Sequence, residues 1–209
     1  MLSLIPENLN RYIEKQYQEK DGVLSEMESY GEKLHFPFVG PQVGHLLFIL
    51  TQLLKPKRIF EMGSGYGYSA YWFAKALPPG GKVYQTDDSQ KNSSKSLEFF
   101  QKGGLLSKTE FLVGDALTLF DQMEGDFDII FIDMDKKSYP EGFLKAKRRL
   151  RKGGLLIADN TLWSGKVLDK NPDQDTQGIL KFTQLLFNDP GFFSTLVPIR
   201  DGVALGYKL

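Results

Sequence analysis

The sequence predicts an α/β fold: a seven-stranded mixed sheet of five parallel strands and a C-terminal antiparallel hairpin, with helices on both faces. Three observations predict it. From Lys57 onward, five short apolar runs alternate with helical patterns, the rhythm of βαβ units around a parallel sheet. The run FDIIFID (127–133) is apolar nearly throughout, as a central strand covered on both faces must be. Near the C-terminus the alternation breaks, and two strand-like runs flank Arg200-Asp201-Gly202, a hairpin signal in which Asp-Gly supplies positive φ.

In chain order, KRIFEM (57–62) reads as the first strand and GYSAYWFAKAL (67–77) as the helix after it. KVYQTD (82–87) is the second strand, followed by a helical stretch over 94–102. TEFLVG (109–114) leads into a helix over 116–123, and FDIIFID into one over 139–150. GGLLIAD (153–159) closes the parallel set. A helix over 174–187 precedes FFSTLVPI (192–199) and VALGYKL (203–209). Upstream, Val43, Leu46, Leu47, Leu50, Leu53 and Leu54 recur at helical spacing and predict an amphipathic helix packed on the sheet. Residues 1–35 read as a polar helical extension outside the core, so residues 1–209 form one domain with that extension.

Composition narrows the function classes. The chain has 209 residues, 13% of them aromatic, and its 26 basic side chains balance 26 acidic ones. A chain this long and aromatic collapses without staples, and zero net charge argues against a dedicated nucleic-acid binder. With no cysteine, thiol nucleophiles, disulfides and thiolate metal sites are excluded. His35 and His45 are the two histidines, too few for a multi-histidine metal site, and both read as structural or surface residues. The N-terminus lacks the basic start and apolar run of a signal peptide, and the longest apolar run, 46–50, is too short to cross a bilayer. A soluble, cytoplasmic protein is expected.

The first strand ends in Glu61-Met62-Gly63-Ser64-Gly65-Tyr66-Gly67-Tyr68-Ser69. Glycines at a strand-to-helix turn let a ligand approach the backbone. A nicotinamide fingerprint needs G-x-G-x-x-G, but here the third glycine falls one residue early. Glu61, just ahead of the glycines, suits a cationic ligand better than a pyrophosphate. Asp87 closes the second strand, where an acid hydrogen-bonds a ribose diol. Together these features fit S-adenosylmethionine, which has a sulfonium, an amino-acid head and a ribose but no phosphate. Asp115 is a candidate for the adenine edge and equally for the cap of the helix that follows it.

The fourth strand ends in Asp133-Met134-Asp135-Lys136 and the fifth in Asp159-Asn160. Adjacent strand ends lie about 5 Å apart, so these groups converge outside the carboxyl edge of the sheet, where ligands bind in open α/β folds. Oxygen donors without histidine or cysteine select a hard cation: Mg²⁺ first, Mn²⁺ or Ca²⁺ as alternatives. Trp163 and Tyr139 flank them and either pack on an aromatic acceptor or simply pack the loop. The basic run Lys145, Lys147, Arg148, Arg149, Arg151 and Lys152 sits at the opposite edge and reads as a solvated helix end.

Read whole, FIDMDKKSYP followed by LLIADNTLWSGKV strongly resembles the cation-dependent O-methyltransferases of the caffeoyl-CoA and catechol type. The resemblance runs from about Pro37 to Tyr207 and includes VPIRDGVALGYK. It implies the Rossmann-like class I methyltransferase fold, metal ligation by Asp133, Asp159 and Asn160, and Lys136 as general base beside Asp133. It places the donor on Glu61, Gly63, Ser69, Asp87, Asp115, Asp133 and the stretch around Val39. It implies a homodimer and a small hydroxylated aromatic acceptor, a catechol or a hydroxycinnamoyl ester. The chain departs from the family's G-T-x-T-G-Y-S at 63–69, has Met134 where D-A-D-K has alanine, and has Ser89 where an acid is common. ESYGEKLHFPFVG also resembles bacterial members that methylate 5-hydroxyuridine in tRNA, which makes tRNA the alternative acceptor. A donor-binding protein without catalysis is a third reading, disfavoured by retention of the three ligands and Lys136.

Overall fold

The computed structural model describes residues 6–17 and 21–209. Three helices lead in: α1 (Glu7–Glu14), α2 (Gly22–Leu34) and α3 (Gly40–Leu54). The sheet region follows as β1 (Arg58–Met62), α4 (Tyr68–Ala76), β2 (Lys82–Asp87), α5 (Gln90–Lys102), β3 (Thr109–Val113), α6 (Ala116–Gln122), β4 (Phe127–Ile132), α7 (Tyr139–Arg149) and β5 (Leu150–Ala158). The chain closes with α8 (Gln174–Phe187), β6 (Phe192–Val197) and β7 (Val203–Lys208). The strands lie in the order β3-β2-β1-β4-β5-β7-β6, with the first five parallel and β7 antiparallel to both β5 and β6. This is the mixed sheet the sequence predicts.

The apolar strands are explained by two cores, one on each face of the sheet. Alternate residues Ile59, Val83, Ile129, Phe131 and Ile157 join side chains of α2, α3, α4 and α5 in one core. Their neighbours Phe60, Met62, Ile130, Ile132, Leu156 and Ala158 join α7 and α8 in the other. A period-2 chain buried on both sides has no polar face to display, so β1 and β4 read as unbroken apolar runs.

Four expectations are corrected. The extension is not wholly outside the core, because one stripe of α2 buries Leu24 and Met27 in the core shared with α4 and α5, and Gly31 against Tyr66 and Phe38. Leu53 does not pack on the sheet; it is 76% exposed, one position off the stripe of Val43, Leu47 and Thr51. β5 begins at Leu150 rather than at Gly153. Its pairing with β4 shifts register between Phe127 and Ile129, and Gly153, at φ 70°, lies within the irregular stretch. In the β6–β7 turn, positive φ falls on Arg200 (50°) and Gly202 (85°), not on Asp201. Four of the six side chains of the basic run make local contacts at this edge: Lys145 pairs with Asp121, Lys147 with Asp189 and Arg151 with Asp128, while Arg149 donates to the Gly125 carbonyl. His45 packs edge-on to Tyr17 and Trp72. Among the described residues, no helix is long and apolar enough to cross a membrane.

Candidate active site

A single cleft of about 660 Å³ runs across the carboxyl ends of the parallel strands. It holds Val39, Gly63, Ser69, Asp87, Asp115, Asp133, Lys136, Asp159 and Asn160 on one continuous wall, so all but one of the sequence-predicted site residues come together. The exception is Glu61, fully buried behind Ser64 and Ser69. Phe36 and Phe38, in the stretch the sequence offers as a pocket wall, line the cleft as well, and so do Tyr66 and Arg200, which the sequence reading did not single out.

At one end the wall is backbone. Gly63, Gly65 and Gly67 take φ of 89°, 51° and 86°, conformations open to glycine at little cost. At Gly63 a Cβ would come within 2.3 Å of the Asp133 carbonyl, so the turn runs tight against the end of β4. Hydrogen bonds pin it: Ser64 N–H to the Thr86 carbonyl at 2.7 Å, Gly63 N–H to Thr86 Oγ1 at 3.2 Å, and Gly65 N–H to Asp87 Oδ2 at 3.1 Å. The other Asp87 oxygen accepts from Ser89 N–H and Asn92 Nδ2, both at 2.9 Å, which fixes the carboxylate at the end of β2. Asp115 caps α6 through Oδ1, accepting from the Thr118 N–H at 2.8 Å and its hydroxyl at 2.6 Å. The cap reading is therefore realised, and Asp115 faces the cleft as well. Neither Glu61 oxygen makes a well-formed hydrogen bond; burial raises its pKa to about 8, and the Ser64 and Ser69 hydroxyls beside it offset this only in part.

At the other end the wall is side chain. Asp133 follows β4 and Asp159 follows β5, held in step by the Asp159 N–H bonded to the Ile132 carbonyl at 3.1 Å. Lys136 Nζ donates three bonds: to Asp133 Oδ1 at 2.9 Å, to the Met134 carbonyl at 3.2 Å and to the Tyr139 hydroxyl at 2.8 Å. Tyr139 donates in turn to the Asp159 carbonyl at 3.0 Å. Tyr139 is fully buried and does not face an acceptor, which decides between its two sequence readings; it braces Lys136 from below. Burial, reinforced by Asp133, Asp159 and Asp201, drives its phenol pKa well up, so it stays a donor. Trp163 does line the cleft, and its ring centroid is 5.7 Å from Lys136 Nζ.

Asp159 is 4% exposed, and its Oδ1 is buried without a hydrogen-bond partner. Burial, then the charge of Asp133, raises its pKa well above the carboxylate range, against the pull of the Asn160 N–H, Lys136 and Arg200. Asn160 takes φ 56°, an αL position that asparagine tolerates. Among the described residues no three acidic or histidine side chains are placed to hold a metal ion together, so the candidate ligand set is two carboxylates and one amide. An orphaned carboxylate oxygen beside a second carboxylate is costly without a cation, and an all-oxygen set fits a hard one.

Comparison with known proteins agrees with this geometry. A family model described as O-methyltransferase matches residues 15–209. A catechol O-methyltransferase of Niastella koreensis is 35% identical over 177 residues, covering 80% of each chain. Caffeoyl-CoA O-methyltransferase 1 of Eucalyptus globulus is 33% identical over 175 residues, covering 78% of this chain and 71% of that one. Among solved structures, the O-methyltransferase TomG of Streptomyces achromogenes, in complex with S-adenosylmethionine, matches with a TM-score of 0.88 at 27% identity, covering 96% of both chains. The O-methyltransferase of Bacillus cereus, in complex with S-adenosylhomocysteine, matches at 0.87 with 29% identity, covering 96% of this chain and 97% of that one. Strand order, glycine turn and neighbours define a methyltransferase with a Rossmann-like fold. The chain belongs to the O-methyltransferase family, enzymes that draw their methyl group from S-adenosylmethionine.

Proposed function

We propose that this O-methyltransferase moves the methyl group of S-adenosylmethionine to one hydroxyl of a vicinal-diol aromatic, with a divalent cation held by Asp133, Asp159 and Asn160. The observation that carries this reading is the buried, partnerless Asp159 Oδ1 beside Asp133 at the cleft end. Mg²⁺ is the first choice, with Mn²⁺ or Ca²⁺ as alternatives. When bound, the cation supplies the charge that acidifies a chelated hydroxyl and offsets the mutual repulsion of the two carboxylates.

The chain's own residues do the rest. Val39, Gly63 and Ser69 shape the donor end, Asp87 takes the ribose and Asp115 the adenine edge, while Glu61 balances the cationic head from behind Ser64 and Ser69. The acceptor oxygen attacks the methyl carbon, the carbon–sulfur bond breaks, and S-adenosylhomocysteine leaves. Lys136 takes or stabilises the proton released from that hydroxyl, with Nζ aimed by Asp133 and Tyr139. Trp163 offers its ring to the acceptor. Holding donor and acceptor in one cleft supplies much of the rate.

The tRNA reading has no comparable support, because Lys145, Lys147, Arg149 and Arg151 of the basic run are engaged with acids or carbonyls. The test is a methyl-transfer screen with catechols, caffeoyl-CoA and undermodified tRNA, with and without chelator and across ionic strength. Catechol turnover, lost with chelator and nearly flat in salt, is the expected result. Turnover of tRNA alone, falling steeply with salt as phosphate contacts release counterions, overturns it.

A further inference from the structure

The acceptor end of the cleft holds a cation that the reaction so far does not use. Arg200 lies in the turn between β6 and β7 and lines the wall. That turn is tied to the loop after β5 by two backbone bonds, Thr161 N–H to the Gly202 carbonyl at 3.0 Å and Leu162 N–H to the Asp201 carbonyl at 2.8 Å. The Arg200 backbone therefore stands beside the Asp159–Asn160 loop, and its guanidinium reaches over the cleft to the Phe38–Gly40 segment.

Its placement is built in, not incidental. The backbone holds φ 50°, a region arginine enters only when the surroundings impose it. The guanidinium passes over Gly40, where a Cβ would come within 1.9 Å of a terminal nitrogen. The same nitrogen donates to the Phe38 carbonyl at 3.0 Å, which anchors the fork and fixes its direction. A guanidinium carries five N–H groups, and among the described residues Arg200 has no carboxylate within ion-pairing distance. The wall around it is acidic, with Asp133, Asp159 and Asp201 close by in the fold. Its other cation, Lys136, has all three donors committed. Arg200 is thus the cleft's cation with donors to spare, and a planar fork matches a carboxylate.

We propose that Arg200 is a specificity-determining residue that binds an acidic group of the methyl acceptor, so that the substrate is a vicinal-diol aromatic acid; this rests on the acceptor class inferred above. The diol is taken at the Asp133–Asp159 end and the carboxylate by the guanidinium. A neutral diol leaves the free N–H groups of Arg200 to water, and a bulky ester removes the charge they read.

The test compares 3,4-dihydroxybenzoate, its methyl ester and plain catechol as acceptors at saturating S-adenosylmethionine and Mg²⁺. The parent is set beside Arg200→Gln, Arg200→Lys and Arg200→Gly. The parent should favour the acid over the ester in kcat/KM by roughly 10- to 100-fold, the range of hydrogen bonds to charged groups. Arg200→Gln should bring that ratio to about one, chiefly through KM for the acid, and Arg200→Lys should restore part of it. Arg200→Gly suits the positive φ; if it melts no lower than the parent and also loses the ratio, loss of fold is not the cause. A parent ratio near one overturns the proposal. So does a ratio that survives Arg200→Gln while every acceptor and the donor weaken alike, the signature of a latch on the Phe38 segment. If neither acid, ester nor catechol is methylated, the acceptor class itself is wrong and this inference falls with it, a result separate from loss of the ratio alone.

Discussion

The two ends of the cleft are built on opposite terms. The donor end is made of backbone whose hydrogen bonds close on the protein itself: Gly63, Ser64 and Gly65 on Thr86 and Asp87, and Asp115 on Thr118. The acceptor end leaves Asp159 Oδ1 and Trp163 Nε1 buried without partners and holds Asn160, Trp163, Ser164 and Arg200 at positive φ. Unsatisfied polar atoms and strained backbone cost stability, and they persist where a ligand or a reaction uses them. One end is complete before anything binds, whereas the other is complete only when loaded. Two groups at the donor end are exceptions: the Tyr66 hydroxyl, buried without a partner, and Glu61, a buried carboxyl that burial keeps protonated up to about pH 8.

The sharpest way to break this comparison is at Asp159. Asp159→Ala should lower methyl transfer on the order of 10³-fold or more, because chelation and orientation of the acceptor go together. Donor affinity, read by calorimetry, should stay close to that of the parent, since the proposed donor residues lie mainly at the ends of β1, β2 and β3, and Asp159 is not among them. Removing a buried carboxyl that has one partnerless oxygen should also leave the ligand-free melting temperature equal or higher. Full activity of this variant in chelator would rule out the metal site.

Lys136 and Tyr139 sharpen the comparison within the acceptor end. Lys136→Ala should retain donor and metal binding and cost about 10²- to 10⁴-fold in turnover, the usual contribution of a general acid–base group. Tyr139→Phe removes the hydroxyl that accepts from Nζ and donates to the Asp159 carbonyl. Its cost should be smaller, about tenfold, and should appear in the pH–rate profile rather than in acceptor KM. A Lys136→Ala enzyme as active as the parent at every pH would leave deprotonation to the cation alone. An unchanged profile in Tyr139→Phe would reduce the tyrosine to packing.

Much of this contrast was legible in the residues. Strand ends are readable because apolar runs stop abruptly at Glu61-Met62, Asp87, Asp133 and Asp159, and a parallel sheet places such stops on one edge. The bulge in β5 was not, since Gly153-Gly154 reads equally well as a strand start. The stripe of Leu24, Met27 and Gly31 was hidden by a helix polar elsewhere, and glycine as a packing surface carries no hydrophobic signal. Tyr139 follows Lys136 by three positions and looks like a cleft aromatic; its burial depends on Phe182 of α8 packing edge-on at 5.5 Å. Arg200 was masked by turn chemistry, because Asp-Gly accounts for a hairpin without asking what its neighbour reaches. Its partner, the Phe38 carbonyl, lies 162 residues away, and no local pattern announces it.

The smallest expected effect concerns Glu61, the titratable carboxyl among the donor end's exceptions. Its pKa in the fold is about 8 against an ordinary 4.5, with burial as the main cause and Asp133 and Asp87 adding to it. Between those values the folded protein holds a proton that the unfolded chain has released, so stability falls as pH rises from about 4.5 to about 8 and then levels. Asp159 slopes the same way, and comparing Glu61→Gln with Asp159→Asn separates the two contributions. In ligand-free protein, Glu61→Gln should flatten the melting curve's dependence on pH by a few degrees, since about 1 kcal/mol moves a chain of this size by roughly 2–4 °C. S-adenosylmethionine should flatten it in the parent too, because its cationic head favours the ionised carboxylate and releases the proton on binding. A parent whose melting temperature does not fall between pH 5 and 8, or a Glu61→Gln variant with the parent's slope, would mean that Glu61 is satisfied without a ligand. The donor end would then hold no carboxyl waiting for a ligand, and the contrast between the two ends would be sharper.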